Sequence, residues 1–331
     1  MVTITKHPDG PSFQCEDGDT ILRAALRSGI AMPYSCNMGS CGNCRFQLIE
    51  GSVRHAFEDA PASSERDRER NRWLGCQAVP EGDCAIKFRE DPKCASLHRP
   101  AIRSGELVSA TPVTRDISEF TFRIAGDDAF RPGQYALISV PGTDGGRAYS
   151  MSNLPGGGQW RFMIKHVPGG AATGYLFGEA EPGDSVSIDG PYGTAWLHDD
   201  SARDMILLAG GSGLSPMVSI ALGAEAAGML ENRKLHFFYG CRDTADLFDT
   251  GIFGDLAERI RFTPVLSEPA SGGDWQGATG FLHDFVCERF ANTLTDHEIY
   301  FAGPAVMSAA VQKALFDAGV PVDHMHFDEF Y

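Results

Sequence analysis

The chain has 331 residues, with 44 Asp and Glu against 28 Lys and Arg, for a formal net charge of −16. That balance argues against a nucleic-acid partner, because no broad basic face is available to neutralise phosphates. The apolar residues, 43 % of the chain, never run long enough to span a bilayer, and the length predicts two or three domains.

The first segment reads as a small sheet with one helix. Val2 to Thr5 and Phe13 to Cys15 are strand-like, and Asp19 or Thr20 can cap a helix through Leu22, Ala25 and Leu26, with Gly29 at its end. Four cysteines follow in a telling pattern. Cys36, Cys41 and Cys44 form C-x4-C-x2-C, and Cys76 arrives downstream in Leu74-Gly-Cys76-Gln77. This is the plant-type ferredoxin spacing for a [2Fe–2S] cluster, in which a tight loop supplies three thiolates and a distant segment the fourth. Gly39 and Gly42 let the backbone come close enough for amide N–H groups to point at the sulfurs, which favours the added electron. Structural zinc is the competing use, but it usually takes paired C-x2-C knuckles on both halves, and here the second half offers one cysteine. An odd cysteine total and no secretory leader argue against disulfides and for a reduced, cytoplasmic protein. Cys15, Cys84, Cys94, Cys241 and Cys287 have no ligand spacing. Arg45 to Ile49 alternates like a strand, Ser63 to Arg72 is a charge run best read as a solvated helix face, and Asp83 to Phe88 is another strand. Arg89 to Pro100, with two prolines and no periodicity, reads as a linker.

From about Arg103, short β-rich runs alternate with Gly and Pro turns: Leu107 to Pro112, Glu119 to Ile124, Gln134 to Val140, Trp160 to Val167 and Ser185 to Asp189. That spacing predicts an antiparallel barrel. After His198, apolar strands alternate with helical segments: Met205 to Ala209, Leu214 to Ala227, Leu235 to Tyr239, Arg261 to Leu266, Glu298 to Phe301 and Ala305 to Ala318. This predicts a parallel α/β sheet. The strand Met205 to Ala209 runs into Gly210-Gly-Ser-Gly-Leu-Ser-Pro216 and then a helix. That geometry presents free N–H groups to a pyrophosphate, although Gly211 to Pro216 reads G-x-G-x-x-P and lacks the third glycine of the usual fingerprint.

With these modules in hand, the chain resembles the fused ferredoxin–flavin–nicotinamide reductases that feed electrons to bacterial hydrocarbon oxygenases. It is similar to the reductase component of toluene monooxygenase-type diiron enzymes. Asp59-Ala-Pro61, Asn71-Arg72 before Cys76-Gln77, Gly211-Ser-Gly213 with Pro216-Met-Val-Ser219, and His326-Phe-Asp328 carry the likeness, which covers essentially the whole length. The resemblance implies an α+β multidomain fold: a β-grasp [2Fe–2S] ferredoxin over 1–91, a linker over 92–102, an antiparallel β-barrel FAD domain over 103–199, and an α/β parallel-sheet NAD domain over 200–331. It further implies that Arg147-Ala-Tyr149-Ser150 is the flavin motif, with Arg147 on the pyrophosphate, Tyr149 against the isoalloxazine and Ser150 near its reactive edge. Gly170-Ala-Ala-Thr173 resembles the second phosphate loop, and Gly190-Pro-Tyr-Gly193 the turn that ends the barrel. His166 joins the flavin set by the same likeness; like His55 and His283 it otherwise reads as structural. Gly211, Ser212, Gly213, Pro216, Gly303 and Pro304 are implied for the dinucleotide, together with Arg242 and Asp246 after the strand that ends at Tyr239. Asp246 can hydrogen-bond ribose hydroxyls and repel a 2′-phosphate, whereas Arg242 could bind one; the likeness favours NADH. Phe330, with Ser150, is implied at the reacting edge of the flavin, and Phe330-Tyr331 resembles the aromatic end that covers the ring. One position departs from the family: Phe301-Ala302-Gly303-Pro304 has Ala302 where the family usually carries a cysteine, which puts the hydride-transfer rate in question and not the transfer itself.

The implied activity passes electrons from NADH to FAD, on to [2Fe–2S], and outward to a Rieske-type ferredoxin or a diiron hydroxylase, through a monomer that binds neither nucleic acid nor membrane. A Rieske aromatic-ring dioxygenase and a deoxysugar dehydratase system use the same modules and stand as alternatives. A sodium-pumping quinone reductase subunit would need an anchor. A zinc-stabilised binding module, the non-enzyme reading, would be colourless where flavin and cluster are brown-yellow.

Overall fold

The computed structural model describes residues 1–270 and 273–330; Tyr331, half of the aromatic end singled out above, lies outside them. The chain divides into two compact units, one of Met1–Ile102 with Asp189–Thr194, the other of Arg103–Ile188 with the chain from Ala195 onward.

The first unit holds β1 (Val2–Lys6), β2 (Ser12–Cys15), α1 (Ile21–Arg27), β3 (Arg45–Glu50), β4 (Val53–His55), α2 (Glu65–Glu69), β5 (Arg72–Leu74), β6 (Ala78–Pro80) and β7 (Cys84–Lys87). Five strands form a sheet in the order β2-β1-β7-β3-β5, and β4 pairs with β6. β1 and β7 run parallel, Ile4 opposite Cys84, while their outer neighbours are antiparallel. Thr20 caps α1, its hydroxyl accepting from Arg23 N at 3.5 Å. The helix buries Ile21, Leu22, Ala24, Ala25 and Leu26 and leaves Arg23 and Arg27 outside that apolar face. α2 is short, fully on the surface and capped by Ser64, as a charged run with no apolar stripe should be. Arg89 to Pro100 differs from a loose linker. Asp91 N donates to Ala31 O at 3.0 Å and the Cys94 side chain is buried, so a backbone hydrogen bond and a buried side chain hold this stretch where proline density alone suggests freedom. The two-stranded sheet of β4 and β6 has strands of three residues, too short for alternation to announce it.

The barrel comprises β8 (Ala101–Pro112), β9 (Ile117–Ile124), β10 (Tyr135–Ser139), β11 (Arg147–Ser150), β12 (Gln159–Lys165), α3 (Ala171–Gly178) and β13 (Ser185–Tyr192). Its sheet order is β11-β10-β13-β8-β9-β12, and a bridge from Met151 to Phe162 links the two end strands. Inward residues such as Phe120, Phe122, Ile138, Trp160, Phe162 and Ile188 fill it.

The remaining elements are β14 (Met205–Gly210), α4 (Leu214–Ala226), β15 (Leu235–Cys241), β16 (Ile260–Leu266), β17 (Ala278–Thr279), α5 (Leu282–Arg289), β18 (Glu298–Pro304), α6 (Ala305–Asp317) and β19 (Met325–Phe330). The sheet is wholly parallel, ordered β17-β16-β15-β14-β18-β19. Every residue of β14 is buried because both faces are covered. Leu207 and Ala209 pack toward α4, and Ile206 and Leu208 toward α5 and α6. The C-terminal stretch is an edge strand: β19 pairs with β18 in register, Phe301 opposite Phe327 and Pro304 opposite Phe330.

Candidate functional site

Cys36, Cys41 and Cys44 sit on a loop with no regular structure, and Cys76 on the turn between β5 and β6. The loop folds tightly because Asn37 (φ 54°), Gly39 (φ 86°) and Gly42 (φ 79°) adopt left-handed backbone. A Cβ on Gly39 would press on Ala60 at 3.0 Å and Gln77 at 3.1 Å. The Cys76 turn is tied to the loop by Gly75 N donating to Cys44 O at 2.9 Å.

The thiols fall into two pairs. Cys44 and Cys76 sulfurs lie 3.4 Å apart. Cys36 Sγ accepts from Met38 N and Cys41 N, both at 3.4 Å, and its own partner is the Cys41 thiol. Two thiolates on one tetrahedral metal, each about 2.3 Å from it, are about 3.7 Å apart, so each pair suits one iron. Among the described residues no three His, Cys, Asp or Glu side chains converge on a single ion position. The donor set therefore fits a binuclear cluster, in which each iron takes two protein sulfurs, better than one zinc. Within each pair the first proton leaves readily. Hydrogen bonding from Cys41 and from backbone amides pulls Cys36 down to about 5, and the contact with Cys76 lowers Cys44. Burial instead pushes the remaining thiols up: Cys15 and Cys241 to about 12, Cys84 and Cys94 to about 11, and Cys287 in the same direction. Asn37 is buried and its amide nitrogen has no protein acceptor, as expected of a donor facing a sulfur-rich group.

Arg147-Ala-Tyr149-Ser150, the segment expected to meet flavin, forms β11. Arg147 is exposed, and its guanidinium donates to the carbonyls of Asp144, Gly145 and Gly146 at 3.2 to 3.4 Å, which rigidifies the turn that carries it. Tyr149 packs on the barrel core, and burial raises its phenol to about 12. Gly170 caps α3 without a side-chain bond, leaving first-turn N–H groups for an anion. The Thr173 hydroxyl is taken up locally, accepting from Val167 N at 3.2 Å. His166 is exposed and its ring lies 5.0 Å from that of Phe177. The Gly190–Gly193 segment groups with the first unit: Arg27 pairs with Asp189 at 2.8 Å and with Tyr192 OH at 3.3 Å, and Gly193 N donates to Tyr34 OH at 2.9 Å.

The loop expected to meet the dinucleotide follows β14. Gly211–Gly213 form one helical turn, and Leu214, Ser215 and Pro216 open α4, whose cap Gly213 also makes no side-chain bond. A Cβ on Gly213 would lie 2.0 Å from Ala302 O, so the loop and the end of β18 touch backbone to backbone. Ala302 is fully buried. Gly303 and Pro304 end β18 and Phe330 ends β19, at the carboxyl edge where open α/β sheets bind ligands. Phe330 packs on the core beneath α4.

Three residues escaped sequence reasoning. Ser215 Oγ donates to Ser150 O at 2.6 Å and accepts from Met163 N at 3.1 Å, joining the glycine loop to β11 and β12. One turn later Ser219 donates to Asn153 O at 2.8 Å. Two serines four apart on an apolar helix were the available signal. Arg115, in the turn between β8 and β9, pairs with Asp246 at 2.8 Å and Asp243 at 3.6 Å, and no motif marks it. Asp246 Oδ2 meanwhile accepts from Arg242 N at 3.2 Å, so both its oxygens are engaged within the protein.

Three family models match in chain order: a 2Fe-2S iron-sulfur cluster binding domain over residues 4–81, an oxidoreductase FAD-binding domain over 104–196 and an oxidoreductase NAD-binding domain over 207–313. The chain is 37 % identical to the ferredoxin–NAD(P)+ reductase CarAd of Metapseudomonas resinovorans, covering 96 % of each protein. It is 35 % identical to the ferredoxin–NAD+ reductase component of the alkene monooxygenase system of Xanthobacter autotrophicus, covering 97 % of this chain and 98 % of the relative. Among solved structures, a ferredoxin reductase in carbazole 1,9a-dioxygenase superposes with a TM-score of 0.92 at 31 % identity, covering 100 % of this chain and 98 % of that one.

Proposed function

This chain belongs to the ferredoxin–NAD(P)+ reductase components of multicomponent oxygenase systems, and from that premise we propose that it delivers electrons from NADH to a diiron aromatic or hydrocarbon monooxygenase, either at the hydroxylase itself or through a Rieske-type ferredoxin. Within the family the chain is an NADH-dependent oxidoreductase using FAD and a [2Fe–2S] cluster. When bound, the flavin takes up two electrons as hydride and the cluster carries one at a time, which turns a pair donor into single-electron delivery. The residues supply position. Cys36, Cys41, Cys44 and Cys76 hold the cluster. Arg147, Tyr149, Ser150, His166, Gly170 and Thr173 hold FAD. Gly211, Ser212, Gly213, Pro216, Gly303 and Pro304 hold NADH, with Arg242 and Asp246 shaping its adenosine end. Ser150 and Phe330 border the place of hydride transfer, and Ser215 keeps Ser150 and the glycine loop in one rigid piece. We divide the chain accordingly into a ferredoxin domain to residue 91, a linker to 102, a flavin domain to 199 and a nicotinamide domain thereafter.

The observation that carries this reading is the two thiol pairs within a chain that also holds two glycine-capped helix N-termini. Cys41→Ser tests it, since a hydroxyl is a poor ligand at a soft site. Dye reduction by NADH should persist while cytochrome reduction collapses. Full cytochrome reduction without the cluster would refute the carrier order. The alkene monooxygenase relative supports the monooxygenase assignment, and the fold match to a carbazole dioxygenase reductase supports the second reading, a Rieske dioxygenase. Reconstitution with purified components separates them, and turnover only with a dioxygenase would reverse the preference. The −16 charge would steer a basic partner, so transfer should slow with ionic strength. No described helix is long and apolar enough to cross a membrane. We place the protein in the cytoplasm as a monomer; Cys15, Cys84, Cys94, Cys241 and Cys287, the cysteines outside the proposed cluster ligands, form no disulfide among themselves, in keeping with a reducing compartment.

A further inference from the structure

Arg115 is the residue whose environment is least explained by the roles above. It stands on the turn between β8 and β9, a barrel element, yet its side chain reaches the loop that follows β15 of the parallel sheet. The turn is well braced: the Thr114 hydroxyl accepts from Ile117 N at 3.1 Å, and Asp116 pairs with Lys165 at 2.6 Å. Arg115 Nε meets Asp246 Oδ1 at 2.8 Å and its NH1 lies 3.6 Å from Asp243 Oδ2. The Asp246 carboxylate is 13 % exposed and the Arg115 side chain 47 %, so one end of the pair is fixed inside the loop and the other fronts solvent.

The loop holding those carboxylates runs from Arg242 to Asp246, directly after the second strand of the dinucleotide unit. In such folds the residues there meet the adenosine ribose, through an acidic group for the free 2′-hydroxyl or an arginine for a 2′-phosphate. Here both kinds are present. The simple assignment, an open carboxylate reaching for ribose, does not match the geometry, because Asp246 already has both oxygens engaged by Arg115 and by Arg242 N.

We propose that Arg115 is a specificity-determining residue for the nicotinamide substrate, a 2′-phosphate-binding cation held in check by Asp243 and Asp246. In the wild-type chain a 2′-phosphate could recruit Arg115 only by taking it from two carboxylates, one of them nearly buried, and leaving those charges unpaired beside the phosphate. A dinucleotide with a free 2′-hydroxyl makes no such demand and leaves the ion pair intact. Discrimination therefore comes from what the phosphate would break as well as from repulsion. The inference rests on the NADH reading above and deepens it by naming the residue through which selectivity acts.

The test is titration of the flavin- and cluster-loaded protein with NAD+ and with NADP+ by calorimetry, which reads binding without turnover. The wild type should bind NAD+ the more tightly; equal affinities would refute the NADH reading, whatever Arg115 does. Asp246→Asn keeps an oxygen for Arg242 N and leaves Arg115 only its longer contact with Asp243, at 3.6 Å. Its NADP+ affinity relative to NAD+ should rise about tenfold, the lower end for a charge-assisted hydrogen bond at a half-exposed site. Adding Arg115→Gln to that variant should abolish the gain. No gain in Asp246→Asn, or a gain that survives loss of Arg115 and so belongs to Arg242, would overturn the proposal while leaving the NADH preference standing. Arg115→Gln alone is a second route that keeps both carboxylates. It bares two negative charges, so discrimination against NADP+ should widen several-fold, and an unchanged ratio would equally overturn the role of Arg115.

Discussion

Gly213→Ala is the sharpest perturbation of the proposed dinucleotide site. An added Cβ would lie 2.0 Å from Ala302 O, 2.3 Å from Ala302 C and 2.8 Å from Gly303 N, all backbone atoms. β18 cannot give way easily, because it is hydrogen-bonded to β14 on one side and β19 on the other. The glycine loop must therefore retreat, by about 1.5 Å if carbon and oxygen are to reach ordinary contact near 3.5 Å. α4 resists that movement through Ser215, bonded to Ser150 O at 2.6 Å. Overpacking of this kind costs about 1–3 kcal/mol or more, and a displacement near 1 Å at a positioning site can cost on the order of 100-fold in rate. Stopped-flow reduction of the flavin by NADH should thus fall by about 100-fold, while flavin and cluster absorbance and reduction by dithionite stay intact. Wild-type NADH kinetics in a folded, fully loaded variant would refute the close-approach argument.

Ser215→Ala leaves Ser150 O and Met163 N without their partner, at a cost of about 1–3 kcal/mol for buried polar groups; thermal denaturation should show lower stability, and an unchanged melting temperature would mean that water replaces the hydroxyl. Stability should also fall in acid. Burial holds His198 and His236 neutral, each lowered to about 4 from 6.5, so the unfolded chain binds more protons as pH drops from about 6.5 to about 4 and stability is lost across that window. Burial alone would raise Glu298, but hydrogen bonds from His326 and Ser201 and the charges of His326 and Arg203 bring it down to about 2, which adds a further loss from about 4.5 downward. His236→Phe should flatten the upper part of the melting-temperature profile, and a profile unchanged by it would refute the role of that ring. Ala302→Cys tests the departure from the family: if a thiol helps place nicotinamide, flavin reduction should quicken with the cluster spectrum unchanged, whereas a position this buried could instead lose stability by overpacking, which the melting temperature would reveal.

Much of this protein is legible in its sequence because its signals are local. The spacing of Cys36, Cys41 and Cys44 sits within one loop, the strand before Gly210 is continuously apolar, and period-2 runs mark the barrel strands. Each reflects a rule the chain obeys over a few residues. Apart from Cys76, which the cluster spacing brings to the loop, features that depend on bringing distant segments together were not legible. The C-terminal Met325–Phe330 has no strong strand pattern; it becomes a strand because β18 presents an open edge for it. Arg89–Pro100 reads as a linker from its prolines, yet Cys94 and the Asp91 amide find anchors more than fifty residues upstream. Asp246 looks like a free ribose ligand until Arg115, 131 positions earlier in the numbering, arrives on a barrel turn and takes one of its oxygens. Composition and periodicity thus determined the barrel, the parallel sheet, the cysteine spacing and the glycine loop, since these follow from residue type at short spacing, while the flavin residues followed from the family resemblance. Only the tertiary structure decided which polar groups are already paired, because hydrogen bonds and ion pairs are settled by proximity in space, which the local pattern does not encode.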